Sequence, residues 1–411
     1  MTRWLRNAAA TVLSVTVGGS CVGNRVDDRA ARSDSAGITI VQSREPQWLD
    51  SASWRVAADP TLEIGVTAGD SAKEFNRIRR AVRFSSGNMA VANGQPPVIR
   101  VFDADGDYVR SIGRQGDGPG EFRSLDWIEI AGDTILALDA RARRITAFMP
   151  DGSVAWLISI REGVGAPSAG PLRLDDGTFI VHHAQSDALT RVAVGTDQPG
   201  QTLRNTSALG HYDRTGLLVD SVFVGQGSES AVILRGGRPA MMPAPFARDL
   251  TYALWNRSVF IGTQDAYEIR EYAASGELRT IVRWDGPALA MTSEDIESLK
   301  SHYLDQVRGN VQAEQSYERL FAEVPFPPAK PAYGRVLVDP LGQLWVAALA
   351  FSPTPPDDWT VFATSHELLG QVRVPSGLHV FEVGTDYLLG QWRDQAGVEY
   401  VRLHSLARRE P

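Results

Sequence analysis

Residues 98–122 read VIRVFDADGDYVRSIGRQGDGPGEF, and the fold prediction rests on this stretch. An apolar strand ends at Phe102, Gly106 follows in a turn, and Tyr108 begins a second apolar strand. Glycine in such a turn permits the positive φ angle of a tight hairpin, and alternating apolar residues keep one face of each strand buried. The stretch therefore predicts a β-hairpin, followed by a Gly-rich turn that leads to a new unit near Phe122.

The same hairpin recurs along the chain. Its marker is an aromatic residue, a glycine four positions later and an apolar residue two positions beyond that. The complete copies are Phe102-Gly106-Tyr108, Phe148-Gly152-Val154, Tyr212-Gly216-Leu218 and Tyr272-Gly276-Leu278. A fifth copy, Phe362 to Leu368, has His366 in place of the glycine. Regular self-similarity of this kind indicates a repeat architecture.

A β-rich run with a turn before it marks each unit a second time. These runs are residues 87–93, 133–139, 177–183, 257–263, 342–348 and 385–391. They predict six units, and the longer spacing between His183 and Tyr212 indicates an insertion in the third.

One segment near the N-terminus has no unit of its own. Residues 64–75, IGVTAGDSAKEF, echo the inter-unit turn IGRQGDGPGEF at residues 112–122, but they precede the first complete unit. We expect the strand from Trp54 to Gly65 to complete the last unit, because a ring closed in this way leaves no open sheet edge.

These segments resemble the NHL-repeat class of six-bladed β-propellers, in particular the exported bacterial propellers, many of which are lipoproteins. The resemblance covers residues 37–411 and implies an all-β, six-bladed β-propeller. WD-repeat and kelch families fit less well, since the chain has neither a Gly-His…Trp-Asp pairing nor a Gly-Gly signature in each blade.

Residues 1–21 have the layout of an export signal. Arg3 and Arg6 precede an apolar run that is too short to span a bilayer. Cys21, the only cysteine, directly follows three small residues and resembles the lipidated cysteine of a bacterial lipobox, although Gly18 stands where that pattern prefers Leu. The alternative is an ordinary secretory signal. The protein is thus expected in the periplasm or anchored to the outer membrane, and otherwise secreted.

Two further segments depart from the strand pattern. Residues 22–36 lack hydrophobic periodicity and predict a flexible tether. Residues 292–324 have helical spacing, and Thr292 with Asp295 approximates a capping box. They predict a small helical insertion between blades four and five, more plausibly a lid packed on the rim than an element that binds a partner.

Known catalytic signatures are missing from the sequence. The Gly-rich stretch 113–120 lacks the Lys-Ser/Thr of a phosphate-binding loop, and residues 103–114 lack the final Glu of a calcium loop. Residues 166–170, APSAG, do not match the Gly-x-Ser-x-Gly pattern of a nucleophile elbow. The adjacent His182 and His183 are expected on opposite faces of a strand, so they do not easily bind one metal. No catalytic residue, metal site or cofactor is predicted.

The architecture places a candidate binding site instead. In a propeller blade the loop into the innermost strand and the loop after the second strand open on one face, around the central channel, where polar groups converge. Thr263 is expected at the end of the fourth unit's second strand. The residues predicted at the channel mouth are Arg79, Arg80, Asn93, Arg123, Asp126, Asp139, His183, Arg248, Asp249, Lys330 and Gln391.

The alternative for each of these residues is a solvated turn or a rim ion pair. Arg79, Arg123 and Arg248 favour a ligand with a carboxylate or other negative group, because guanidinium pairs well with planar oxyanions. The formal charge of −8, without a basic block, argues against nucleic acid.

Two function classes remain open. The first is a binding module that presents its rim to a protein, peptide or glycan, with membrane contact only through an N-terminal lipid. The second is a metal-dependent propeller enzyme of the lactonase or lyase type, for which Asn93, Asp139 and His183 would supply ligands. Fold alone does not decide between them, and the sequence favours binding.

Overall fold

The computed structural model describes residues 29–48, 54–161, 163, 165–185, 200–235, 238–349 and 357–408. Within them, six sheets follow one another along the chain, and successive strands of each sheet pair antiparallel. These sheets are the blades of a six-bladed β-propeller, as the repeats predict.

Four short strands precede the first blade: β1 (Ala30–Ser35), β2 (Ile38–Ser43), β3 (Trp54–Val56) and β4 (Leu62–Ile64). Blade 1 contains β5 (Ile78–Arg83), β6 (Met89–Gly94), β7 (Pro97–Phe102) and β8 (Tyr108–Ile112). The short parallel pair β9 (Arg114–Gln115) and β10 (Glu121–Phe122) follows it. Blade 2 contains β11 (Trp127–Ala131), β12 (Thr134–Asp139), β13 (Arg144–Phe148) and β14 (Val154–Ser159).

Blade 3 is the longest and contains β15 (Ala166–Arg173), β16 (Phe179–Gln185), β17 (Thr202–Tyr212), β18 (Leu218–Arg235) and β19 (Arg238–Pro243). Blade 4 contains β20 (Thr251–Trp255), β21 (Ser258–Gly262), β22 (Glu268–Ala273) and β23 (Leu278–Trp284). Helices α1 (Ser293–Gln306) and α2 (Val311–Glu323) come next. Blade 5 contains β24 (Val336–Val338), β25 (Leu344–Ala347), β26 (Asp358–Phe362) and β27 (Leu368–Arg373). Blade 6 contains β28 (His379–Val383), β29 (Tyr387–Arg393) and β30 (Glu399–Arg408).

The repeated hairpin packs each blade against its neighbour. Phe148 of blade 2 is buried together with Ile112 of blade 1, in the cluster that Phe122 also joins. Gly106 has a φ of +84° in the hairpin turn, and in the fifth copy His366 adopts a comparable φ of +68°. The aromatic residue therefore fills the space between blades while the turn permits the second strand to return.

The last blade is closed by the N-terminus, which confirms the predicted role of the strand from Trp54 to Gly65. Strand β3 pairs antiparallel with the end of β30, and β4 pairs with an earlier part of the same strand. Trp54 lies between two other indole rings, 5.0 Å from Trp48 and 5.7 Å from Trp345. Main-chain pairing and aromatic packing together close the ring.

The tether prediction for residues 22–36 is wrong where the structure describes them. Residues 30–35 form β1, which pairs with β2, and β2 adds in parallel to β23 at the outer edge of blade 4. Such an edge binds a strand through main-chain groups, so β1 needs no apolar side chains. Residues 1–28, with the predicted signal and Cys21, lie outside the described residues.

A cap stands on one face of the ring. We use this name for residues 226–235 and 238–243 of blade 3 together with α1 and α2. Leu320 of α2 and Val324, which caps its C-terminus, are buried in one cluster with Ala231 and Ile233 of β18. Both parts belong to connections that lead into an innermost strand, so they leave the ring at the face where innermost strands begin, here called the mouth face. The predicted helical insertion is confirmed, including its capping box at Thr292. No helix in the described part of the chain is long and apolar enough to cross a membrane.

Candidate functional site

The innermost strands enclose a cavity of about 540 Å³ in the central channel. All six blades contribute to its wall. Its charged and aromatic lining includes Arg80, Trp127, Glu129, Arg173, Tyr252, Arg335 and Glu382. The cavity has the size of a small-molecule site, and its wall combines apolar side chains with many polar and charged ones.

Arg80 and Trp127 form the most distinctive wall. The guanidinium carbon of Arg80 lies 3.9 Å from the indole centroid, which is a cation–π contact. Burial lowers the pKa of Arg80, and the nearby carboxyls of Glu382 and Glu129 counteract this effect. The Arg80 Nε and the Trp127 Nε1 are both buried and have no hydrogen-bond partner among the described residues. Two donors therefore lack an acceptor.

Arg335 supplies a second buried cation. Its Nη1 donates to the Nε2 of His379 at 2.7 Å, so this imidazole nitrogen is an acceptor and the ring is neutral. Burial, helped by Arg335, lowers the pKa of His379 to about 3. Burial and the charge of Arg80 lower the pKa of Arg335 to about 10, which still leaves it charged at neutral pH.

The carboxyls of the channel neutralise these cations incompletely. Burial raises the pKa of Glu129 to about 7, although Arg80 lowers it somewhat. The Arg173 backbone N–H donates to Glu129 at 3.4 Å. Burial also raises the pKa of Glu382, which accepts a hydrogen bond from the Tyr387 hydroxyl. Near neutral pH these two carboxyls therefore carry less negative charge than solvent-exposed ones would, and they neutralise Arg80 only in part.

A further polar group lies beside the channel wall in blade 3. The Nδ1 of His182 is 2.8 Å from the Ser168 hydroxyl, and its ring centroid is 5.3 Å from that of Tyr252. Its Nε2 is buried without a partner among the described residues. Burial lowers the pKa of His182 to about 4, with a contribution from His183, so the ring is neutral at physiological pH.

Of the residues predicted at the channel mouth, Arg80 and Asp249 line the cavity. Asn93 instead fastens a loop of its own blade. It is fully buried, accepts from the Asn76 backbone N–H at 2.8 Å, and donates to the Pro96 carbonyl at 2.8 Å. Its hydrogen-bonding capacity is largely used by the main chain.

Asp139 fastens the corresponding loop of blade 2. Its carboxylate accepts from the backbone N–H groups of Arg123, Ser124 and Ala142, at 2.7, 3.2 and 2.9 Å. Asp126 supports the same loop by accepting from the Ala140 N–H at 3.1 Å. The exposed side chain of Arg123 pairs with Asp117.

The corresponding residues of blades 3 and 4 are also bonded within the fold, whereas that of blade 6 keeps an unpaired donor among the described residues. The Nε2 of His183 is 2.7 Å from the Tyr212 hydroxyl. In blade 4 the fastening residue is Gln264, one position beyond the predicted Thr263; it accepts from the Asp249 N–H at 2.7 Å. Gln391 is buried and lies opposite His379 in the register of blade 6, but its Nε2 has no hydrogen-bond partner among the described residues.

The remaining predicted cations have other surroundings. Arg248 donates to Glu229 at 3.1 Å, and Lys330 pairs with Asp295 of α1 at 2.9 Å. Both interactions fasten the cap to the ring. Arg79 is exposed. The structure therefore brings Arg80 and Asp249 to one cavity and distributes the other predicted residues among loops and the cap.

Apart from Arg80, the charged residues inside the innermost strands were missed by sequence reasoning. A partial signal existed for Glu129, a charged residue between Ile128 and Ile130 in a short apolar strand. Period-two alternation puts such a residue on the face opposite the core, which in an innermost strand is the channel. No group of three or more His, Cys, Asp or Glu side chains within the described ranges could hold a metal ion.

Comparison with known proteins supports the architecture. Residues 73–153 match the model of a family described as a 6-bladed beta-propeller. A solved structure described as an exported protein of Bacteroides fragilis NCTC 9343 is similar, with a TM-score of 0.50, 12% identity, and 90% of this chain and 100% of that chain covered. A DUF4221 family member from Bacteroides vulgatus ATCC 8482 has a TM-score of 0.46 and 10% identity, with 87% and 100% covered. No curated protein matches the chain. At 12% identity, the likeness to the Bacteroides fragilis structure concerns the fold alone, and the narrower NHL-repeat resemblance stays a prediction.

Proposed function

We propose that the protein is a binding module whose central channel holds the carboxylate, or a comparable oxyanion, of its ligand. The observation that carries the proposal is that two residues of the cavity wall, Arg80 and Trp127, each have a buried N–H donor without an acceptor among the described residues, Arg80 Nε and Trp127 Nε1. Leaving such a donor unpaired costs roughly 1–3 kcal/mol. A ligand acceptor would recover that cost.

The chemistry of the wall selects the kind of acceptor. Guanidinium and indole N–H groups only donate, so the matching ligand atom must accept. Arg80 and Arg335 add two positive charges, and hydrogen bonds between charged partners are about twice as strong as neutral ones. An oxyanion satisfies both requirements. The peptide C-terminus and the uronate of a glycan both carry this group, in keeping with the partners expected from the sequence.

The metal-dependent enzyme is the less favoured alternative. The three residues that would supply its ligands, Asn93, Asp139 and His183, each bond to groups of their own blade. Tight stoichiometric calcium or zinc on the purified protein would support the enzyme instead.

Isothermal titration calorimetry with matched probes tests the channel proposal. N-acetylglycylglycine is compared with its C-terminal amide, and glucuronate with glucose. We expect one of the two acids to bind, and its neutral counterpart to bind at least about tenfold more weakly because the ion pair is absent. The acid that binds identifies the ligand source.

Adjacent arginines provide the control. Arg80→Gln should weaken binding of the acid by about ten- to a hundredfold, whereas the exposed Arg79→Gln should leave it unchanged. Arg80→Lys, which keeps the charge but loses the planar fork, should be intermediate. Circular dichroism confirms that each variant is folded. Binding of neither acid, or equal losses in the Arg79 and Arg80 variants, would refute the proposal.

We also propose that the protein is exported and that Cys21 anchors it by a lipid to the cell envelope. The support is the isolation of Cys21 directly after the small residues of the signal. Membrane fractionation of the wild type and Cys21→Ala tests it, with retention expected only for the wild type. Release of both into the soluble fraction would argue against the anchor.

A further inference from the structure

A second cavity, of about 500 Å³, lies between blades 4 and 5. Its wall comes from the end of β23 and the loop after it, the segment 330–333, strands β25 to β27, and residues 44–48 of the N-terminal segment. We propose that this inter-blade pocket binds an amphipathic small molecule, with an apolar body in the cavity and one acidic group at Arg44. This site is separate from the channel and independent of its ligand.

Four aromatic side chains line the inter-blade pocket. Trp48, Tyr267, Trp284 and Tyr333 all contribute. The ring of Trp284 lies 5.4 Å from that of Tyr267 and 5.6 Å from that of Tyr333, so these side chains form a continuous surface. Aromatic walls of this kind offer a large contact area to an apolar ligand.

Two of the rings are held against the wall by glycines. A Cβ atom at Gly370 would lie 2.3 Å from Trp48, and one at Gly286 would lie 2.3 Å from Tyr267. Each ring therefore packs directly on the backbone at a glycine, where a larger residue would displace it. Protein interiors seldom leave large voids, because the atoms that line a void lose their dispersion contacts. A cavity of drug-like size that is kept open between two blades fits a binding function.

The rim of the inter-blade pocket contains a cation that an acidic ligand group would contact. Arg44 is exposed, and its side chain makes no ion pair or hydrogen bond among the described residues. Lys330 also lines the pocket but pairs with Asp295, and the carboxylate of Asp285, another lining residue, accepts from Gln42 Nε2 at 3.1 Å. Arg44 is thus the cation that is available to an acidic head group. The carboxylate of Asp285 disfavours a second acidic group on the ligand.

Fluorescence and calorimetric titration of the full-length protein test the proposal with two acids, dodecanoate and 2-naphthoate, and their methyl esters. If the pocket accepts an acyl chain, dodecanoate should bind. If it accepts a ring system, 2-naphthoate should bind. Ala288 is exposed and lines the pocket, so Ala288→Phe should put a ring into the cavity and weaken the preferred acid at least about tenfold.

Arg44→Gln should weaken the acid by about two- to fivefold, the range of a solvent-exposed ion pair, and leave the ester unchanged. The controls are Ala396→Phe in an exposed turn, Arg141→Gln at another exposed cation, and Arg80→Gln in the channel. All three should keep wild-type affinity. Failure of both acids to bind, or undiminished affinity in Ala288→Phe, would overturn the proposal. A loss in Arg80→Gln alone would assign the acid to the channel instead.

Discussion

Two groups of polar residues surround the channel and behave differently. At the ends of the second strands, Asn93, Asp139 and Gln264 are bonded to nearby main-chain groups, and only Gln391 keeps an unpaired donor among the described residues of this group. On the innermost strands, Arg80 and Trp127 keep buried donors without an acceptor among the described residues. Proximity to the mouth therefore does not make a group available for a ligand; unused hydrogen-bonding capacity does.

The largest expected effect tests the loop-fastening group. Asp139→Ala removes the acceptor of three backbone N–H groups, so it should lower the free energy of unfolding by about 3–5 kcal/mol. Urea unfolding measures this loss. Asp105→Ala, at an exposed hairpin tip, is the control and should show no measurable change. A stability loss in Asp139→Ala no larger than in the control would remove the distinction between the two groups.

In contrast to Asp139→Ala, Arg335→Met should weaken ligand binding and leave the stability of the fold almost unchanged. We expect a ten- to hundredfold weaker channel ligand, because a charged donor is lost. The free energy of unfolding should change by less than about 1 kcal/mol, because replacing a buried charge with an apolar side chain removes a desolvation cost. Calorimetry and urea unfolding on the same sample measure both. A large stability loss with intact affinity would make Arg335 a structural residue.

The raised pKa of Glu129 predicts a pH dependence. Its native pKa of about 7 lies above the unfolded value near 4.3, so the native state binds more protons between these pH values. The contribution of Glu129 to stability therefore falls as the pH rises from about 4 to 7. Glu129→Gln should be more stable than the wild type above pH 7, and this advantage should vanish below about pH 4.

The same ionisation should affect the ligand. Anion affinity of the wild type should decrease severalfold from pH 6 to pH 8 as Glu129 gains its charge, and Glu129→Gln should lose this dependence. Titration at several pH values measures it. An identical pH profile in both proteins would exclude Glu129 as its cause.

The smallest effect is expected at the outer rim. The double variant Arg79→Ala and Arg123→Ala should change channel affinity by less than about threefold, since exposed charges act mainly on the rate of encounter. A larger loss would return the site to the rim, where the sequence alone had placed it.

The repeats made most of the fold predictable. Hairpin markers and the echo at Ile64 were sufficient for six blades and their closure, because turns and alternating strands leave local patterns. The addition of β1 and β2 to blade 4 was not predictable, since it depends on main-chain pairing with a strand more than 200 residues away. In the site, Glu382 was missed because a register shift between Val380 and Glu382 alters the side-chain alternation of β28.

The N-terminal segment has a consequence for how the protein folds. Strand β2 pairs with blade 4 and β3 pairs with blade 6. The backbone N–H of Trp48 donates to the main chain of blade 5, so this segment contacts residues that are far away in the sequence. Contacts of such long sequence separation slow folding, because the loop must close before they form. The first strands and the last blade should therefore acquire protection from hydrogen exchange in one late step, and pulse labelling of amides in β2, β3 and β30 during refolding measures whether they do.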